Sequence, residues 1–155
     1  MTRILGATVV RAAVAWLGAV AVVLVGAPGA SAAPGCWASS CSHYDPQTMG
    51  CSPDATSLIT FSPEGSYDVQ LRLSSACYAA WARVTNTATG EPRFKYLKLQ
   101  VWDSKTGGRL LWTETRYIPQ LVSGNSYWTA MGSFEHYVQA CVKNANDWGH
   151  CSERR

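Results

Sequence analysis

The chain carries no catalytic signature and little charge. No Gly-x-Ser-x-Gly, His-Glu-x2-His or Ser-x2-Lys occurs in its 155 residues, so the local signatures of the common hydrolases are missing. No two cysteines stand in CxxC spacing, which argues against a zinc site. Heptads, internal repeats and long amphipathic helical stretches are also missing, which excludes coiled coils and solenoids. Asp, Glu, Lys and Arg make up only 15% of the residues, and the formal net charge is +3. Two of the 13 basic residues, Arg3 and Arg11, belong to an apolar leader; past it, 11 basic residues face 10 acidic ones. That balance offers no electrostatic footprint for nucleic acid or an anionic membrane.

The leader, residues 1–32, has the three parts of a secretory signal. Arg3 and Arg11 form a positive start, Ala12–Val25 is unbroken apolar sequence, and Ala30-Ser31-Ala32 offers the small residues a signal peptidase requires. The apolar run falls short of the ~20 residues that span a bilayer, and the longer stretch from Ile4 would bury Arg11. Cleavage after Ala32 is expected, leaving a single secreted domain over residues 33–155 with no membrane span.

All six cysteines, Cys36, Cys41, Cys51, Cys77, Cys141 and Cys151, follow the leader. An even number behind an export signal reads as a disulfide framework in an oxidising compartment. Six cysteines allow 15 pairings. Cys141 ends a strand pattern and Cys151 follows an Asn-Asp-Gly type of turn, so a hairpin would set them opposite each other. Cys36–Cys41 with Cys51–Cys77 is the pairing expected among the rest, since it pins the irregular residues 34–50 to the first strands.

The pattern after residue 56 is β. Ser57–Phe61 is β-branched and aromatic, and Val69–Leu73 alternates strictly. Tyr78–Thr85 suits a strand, with a helix as the rival. Phe94–Val101 and Arg109–Ile118 flank a hairpin turn, Tyr127–Met131 and His136–Val142 follow, and a stub ends near Cys151. About seven or eight short strands, with turns every ~8–12 residues, predict an all-β sandwich or barrel. Six tryptophans, seven tyrosines and three phenylalanines past the leader supply the core. Arg154 and Arg155 read as a frayed tail.

Three stretches, CWASSC at Cys36–Cys41, DPQTMGCSPDA at Asp45–Ala55 and VQLRLSSACYAAWARV at Val69–Val84, together with Tyr127–Met131, carry a resemblance. They resemble the YjfA-like family of secreted bacterial proteins, common in actinobacteria and of unknown function. Where that family has a short Gly- and Lys-bearing turn before the Asp-Pro pair, this chain has Ser42-His43-Tyr44. The resemblance implies an exported, disulfide-bonded domain, sometimes displayed on membrane-anchored chains. It implies no reaction and no catalytic residue.

Candidate ligand residues come from those stretches and from the cysteine-bounded loops. Arg72 and Arg83 suit bidentate grip of a carboxylate or sulfate, with Asp45 and Asp54 as polar partners. The bland alternative is ion pairing among the four, or aspartates that hold turn amides. Trp37 and Trp148 lie in loops closed by Cys36–Cys41 and Cys141–Cys151, where an aromatic stacks on a sugar, anchors a protein or covers its disulfide. Trp81 and Trp128 read as core. Among His43, His136 and His150, only His136 with Glu114 and Arg116 suggests an acid–base group. The expectation is a non-enzymatic binding domain whose extracellular ligand is a glycan, a small anion or a protein, with no cofactor, metal or nucleic acid. A small secreted hydrolase and a structural or protective surface protein are the alternatives.

Overall fold

A computed structural model describes residues 34–65, 67–87, 94–119, 122–143 and 149–155. These residues form two antiparallel sheets stacked as a sandwich, with no α-helix and no helix long and apolar enough to cross a membrane among them. One sheet has the order β1 (Thr56–Phe61), β2 (Tyr67–Ser74), β3 (Ala79–Asn86), β6 (Ser126–Trp128), with β7 (Gly132–Ser133) also on β3. The other has the order β5 (Leu110–Tyr117), β4 (Tyr96–Trp102), β8 (Tyr137–Lys143), β9 (His150–Cys151). The chain passes between sheets after β3, β5 and β7.

Alternation sets the layers. Val69 and Leu71 of β2, with Ala80, Ala82 and Val84 of β3, turn inward and meet Leu97, Leu99 and Val101 of β4 and Val138, Ala140 and Val142 of β8; all are buried. Residues at intervening positions, Gln70, Arg72, Trp81 and Arg83, therefore lie on the outer face of the first sheet. Truncating a fully buried core leucine such as Leu99 typically costs ~2–5 kcal/mol.

A second, smaller core covers part of that outer face. The opening segment folds over it through a 3₁₀ turn at Ala38–Cys41, and the disulfides Cys36–Cys41 and Cys51–Cys77 tie it down. Cys41, Cys51, Cys77, Ala79, Trp81 and Met131 are buried together, with Met49 and Trp128 against them. Closing the 26-residue separation between Cys51 and Cys77 contributes about 3.5 kcal/mol in the chain-entropy account. Cys141–Cys151 joins directly paired residues of β8 and β9. All three pairings are those expected from the sequence.

Tyr127–Met131, expected as one strand, is broken. β6 ends at Trp128 and β7 begins at Gly132. In the gap Thr129 keeps contact with β3: its N–H donates to Ala82 O at 3.0 Å, and its hydroxyl accepts from Ala82 N–H at 3.1 Å. The detour frees Met131 to bind the opening segment, donating to Tyr44 O at 2.9 Å and accepting from His43 N–H at 2.9 Å. Arg154 and Arg155 are not frayed. Arg155 exchanges two backbone hydrogen bonds with Val138, and the Arg154 guanidinium lies 3.4 Å from the Trp102 ring centre.

Among the described residues, three other than glycine have left-handed backbone: Ala38 (φ 48°), His43 (φ 70°) and Tyr78 (φ 50°). All three border the disulfide-linked segment, and each is pinned. Ala38 N–H donates to Cys77 O at 2.7 Å, His43 N–H to Met131 O, and Phe134 N–H to Tyr78 O at 3.0 Å. Such backbone costs of order 1–3 kcal/mol and persists only where the surroundings over-determine it.

Candidate functional site

The second core stops short of covering the outer face, and its rim opens as a groove of about 280 Å³. Register explains which side chains meet there. Arg72 pairs with Trp81 across β2 and β3, Gln70 pairs with Arg83, and Arg83 pairs with Trp128 across β3 and β6. Arg72 and Arg83 are thus diagonal neighbours, with Cβ atoms about 7 Å apart in such a lattice. Trp81 and Trp128 lie beside them, and Gln47 and Ser52 of the opening segment close the rim. The volume sits at the small end for ligand pockets, enough for one oxyanion or one sugar residue.

The two guanidinium groups are held differently. Arg72 donates from Nη1 to Ser57 Oγ at 3.0 Å and from Nη2 to Ala55 O, and its Nε is buried without an acceptor. Burial, then the nearby charge of Arg83, lowers its pKa, though a guanidinium stays protonated at any ordinary pH. Arg83, which lines the groove, donates Nε–H to Gln70 Oε1 at 2.9 Å, and its terminal nitrogens have no side-chain or backbone acceptor among the described residues. Neither arginine forms an ion pair with a carboxylate among the described residues.

Asp45 and Asp54 do not pair with the arginines. Asp45 accepts through Oδ1 from the backbone N–H groups of Gln47 (2.9 Å) and Thr48 (3.0 Å), and through Oδ2 from Trp128 Nε1–H at 2.8 Å. It holds the turn that forms the rim and orients the Trp128 indole. Asp54 accepts from the Ser74 hydroxyl at 2.6 Å and from Ala76 N–H at 2.8 Å, shaping the β2–β3 turn. Burial alone would raise both carboxyls; these donors outweigh it and hold both below the ordinary aspartate value. The two aspartates therefore build the site's frame, and the arginines provide its charge.

Trp37 is 58% exposed and stacks on Tyr78, with ring centres 5.3 Å apart and planes 15° from parallel. Tyr78 in turn meets Phe134 edge-on at 5.7 Å. Trp148 lies outside the described residues. The register separates His136 from Glu114 and Arg116. Glu114 sits opposite Leu99 and Arg116 opposite Leu97, whereas Tyr137, the residue after His136, pairs with Trp102 at the other end of β4. At ~3.3 Å per residue and ~4.8 Å per strand, His136 is well over 10 Å from either, so the three form no acid–base group. His43 stacks against Trp112 at 4.4 Å, and His150 meets Phe94 at 5.8 Å.

The four sulfurs of Cys36, Cys41, Cys51 and Cys77 lie within 4.8 Å of one another. Paired as disulfides they offer no thiolate, the form in which cysteine binds a metal.

A family model described as "Protein of unknown function (DUF2690)" matches residues 39–131. The chain belongs to this family. The matched span holds both groove arginines, both groove tryptophans and the segment that forms the rim, and it ends before β7 and β8. Cys36, Cys141 and Cys151 fall outside it. No curated protein and no solved structure matches the chain.

The sequence singles out Arg72 and Arg83 and reads Trp81 and Trp128 as core, where both do pack, but it passes over their second place in the groove and over Gln47, Ser52 and Ser126, which line it with them. The parity of β3 was the available signal for Trp81. It shares a face with Arg83, and that face is polar at Arg83 and Thr85.

Proposed function

We propose that this domain is a non-enzymatic binding module that works outside the cell and takes an oxyanion-bearing ligand in the groove between Trp81 and Trp128. One observation carries the reading. Two guanidinium groups line one small groove on adjacent strands, and neither has a carboxylate partner among the described residues. Like charges placed side by side cost stability unless something offsets them. A bound carboxylate, sulfate or phosphate would do so by accepting from the Arg83 fork and from Arg72. Three disulfides support an extracellular setting, as does the secretory character of residues 1–32. The YjfA-like resemblance agrees with an exported domain.

Trp81 and Trp128 make the site self-reporting. Titration with glucuronate, sulfate or phosphate should change tryptophan emission saturably, and added sodium chloride should weaken the response. Arg83→Met, which keeps much of the stem and removes the charge, should abolish it. A flat emission for all three anions at low ionic strength would refute the reading.

A further inference from the structure

Beside the groove lies a second pocket of about 290 Å³, lined by Asp45, Arg116, Ser126, Tyr127 and Trp128. Ser126 and Trp128 line both cavities, which places Trp128 at their shared boundary. Arg116 enters from β5, the edge strand of the opposite sheet. Its partner Leu97 points into the core, so Arg116 lies on the same, inward side, at the open mouth of the sandwich. It makes no ion pair among the described residues. Both pockets thus have cationic groups, Arg72 and Arg83 in one and Arg116 in the other. The orientation of the Trp128 indole is fixed by the bond from Nε1–H to Asp45.

We infer that the two pockets form one extended site for an acidic polysaccharide, with carboxylate-bearing sugar residues held on either side of Trp128. The inference rests on the proposed function and adds the ligand's class and polymeric form. Three features select this chemistry. Anionic groups must be spaced, because the cations are divided between two pockets. Trp128 at their boundary is a partly buried aromatic, suited to the apolar side of a sugar ring. The second pocket also contains a carboxylate, Asp45, which repels a bare polyanion but accepts from a sugar hydroxyl. Polyphosphate has no hydroxyl to offer. Nucleic acid binding depends on neutralising many phosphates in succession, and the chain past its leader has nearly equal basic and acidic residues.

The test is a titration of the protein, disulfides intact, with galacturonate and with its dimer, trimer and tetramer, read by calorimetry. Affinity should rise by ~10-fold or more from monomer to trimer as a second anionic residue is engaged in the same complex. Arg116→Ala, at an exposed position, should erase that gain. Arg83→Lys, which keeps the charge but loses the fork, should weaken every length. Monomer binding with no gain on lengthening, or a gain that survives Arg116→Ala, overturns the inference and leaves the proposed function standing. No binding of any length, monomer included, sinks both. Equal or tighter binding of a single-stranded oligonucleotide or of polyphosphate at matched charge overturns the glycan assignment, and so does equal binding of neutral oligosaccharides.

Discussion

Tyr78 offers the sharpest test of how the β2–β3 turn is held. Its φ of 50° lies in the left-handed region, where any Cβ costs ~1–2 kcal/mol. Glycine escapes that cost but gives up about 0.5–1 kcal/mol more backbone entropy on folding. The difference leaves Tyr78→Gly more stable than Tyr78→Ala by about 0.5–1 kcal/mol, the reverse of the usual order for these residues. Both variants lose the ring contacts with Trp37 and Phe134, worth ~0.5–1.5 kcal/mol each, so both should fall below the parent protein. Because the lost contacts are common to the two variants, they cancel in the comparison and only the backbone effect remains. Urea unfolding with the disulfides intact measures it, provided that the two variants unfold with the same denaturant slope. An alanine variant as stable as the glycine variant, or more so, would show that the turn relaxes and that no conformational cost is held at Tyr78.

Two further outcomes follow from local geometry. Asp54 has its carboxyl held below the ordinary value of 3.8. Its contribution to stability is therefore fully present above that pH and is lost as the pH falls through the lower, folded-state value. Asp54→Asn should cost about 1 kcal/mol at neutral pH, a modest figure because the carboxylate is largely exposed. It should also flatten the acid limb of the stability–pH curve, and an unchanged limb in urea melts between neutral and acid pH would count against the assignment. At Gly132, an added Cβ would stand 2.8 Å from Val101 Cγ2 and 3.1 Å from a Trp112 ring carbon. Gly132→Ala should lose ~1–3 kcal/mol by overpacking. A thermal midpoint equal to the parent's would show that the β7 edge moves outward freely.

Much of the sandwich was legible because its determinants are local. Leu97, Leu99 and Val101 alternate with Tyr96, Lys98 and Gln100, and that parity assigns one face of β4 to the core whatever the strand pairs with. The turn chemistry around Gly107-Gly108 and the short separation of Cys141 and Cys151 are equally short-range. Tyr127–Met131 reads as continuous because nothing in those five residues shows that Met131 must reach Tyr44. The break depends on a segment more than eighty positions away. Arg154 gave no sign of its docking for the same reason, since Trp102 is distant in the chain.

The candidate site divides along that line. Strand parity was enough to place Arg72 on a polar face, and cysteine spacing was enough to predict the three disulfides; setting Arg83 on that same face took the register of β2 on β3. The tertiary structure decided for turn amides over ion pairing at the two aspartates, a choice the sequence left open, and it alone set Trp128 at the boundary of two pockets. It also brought Arg116 to that boundary from the other sheet and separated His136 from Glu114. Parity is a property of neighbouring residues, whereas convergence depends on strand order and register. Those are decided when the whole chain buries its apolar faces at once.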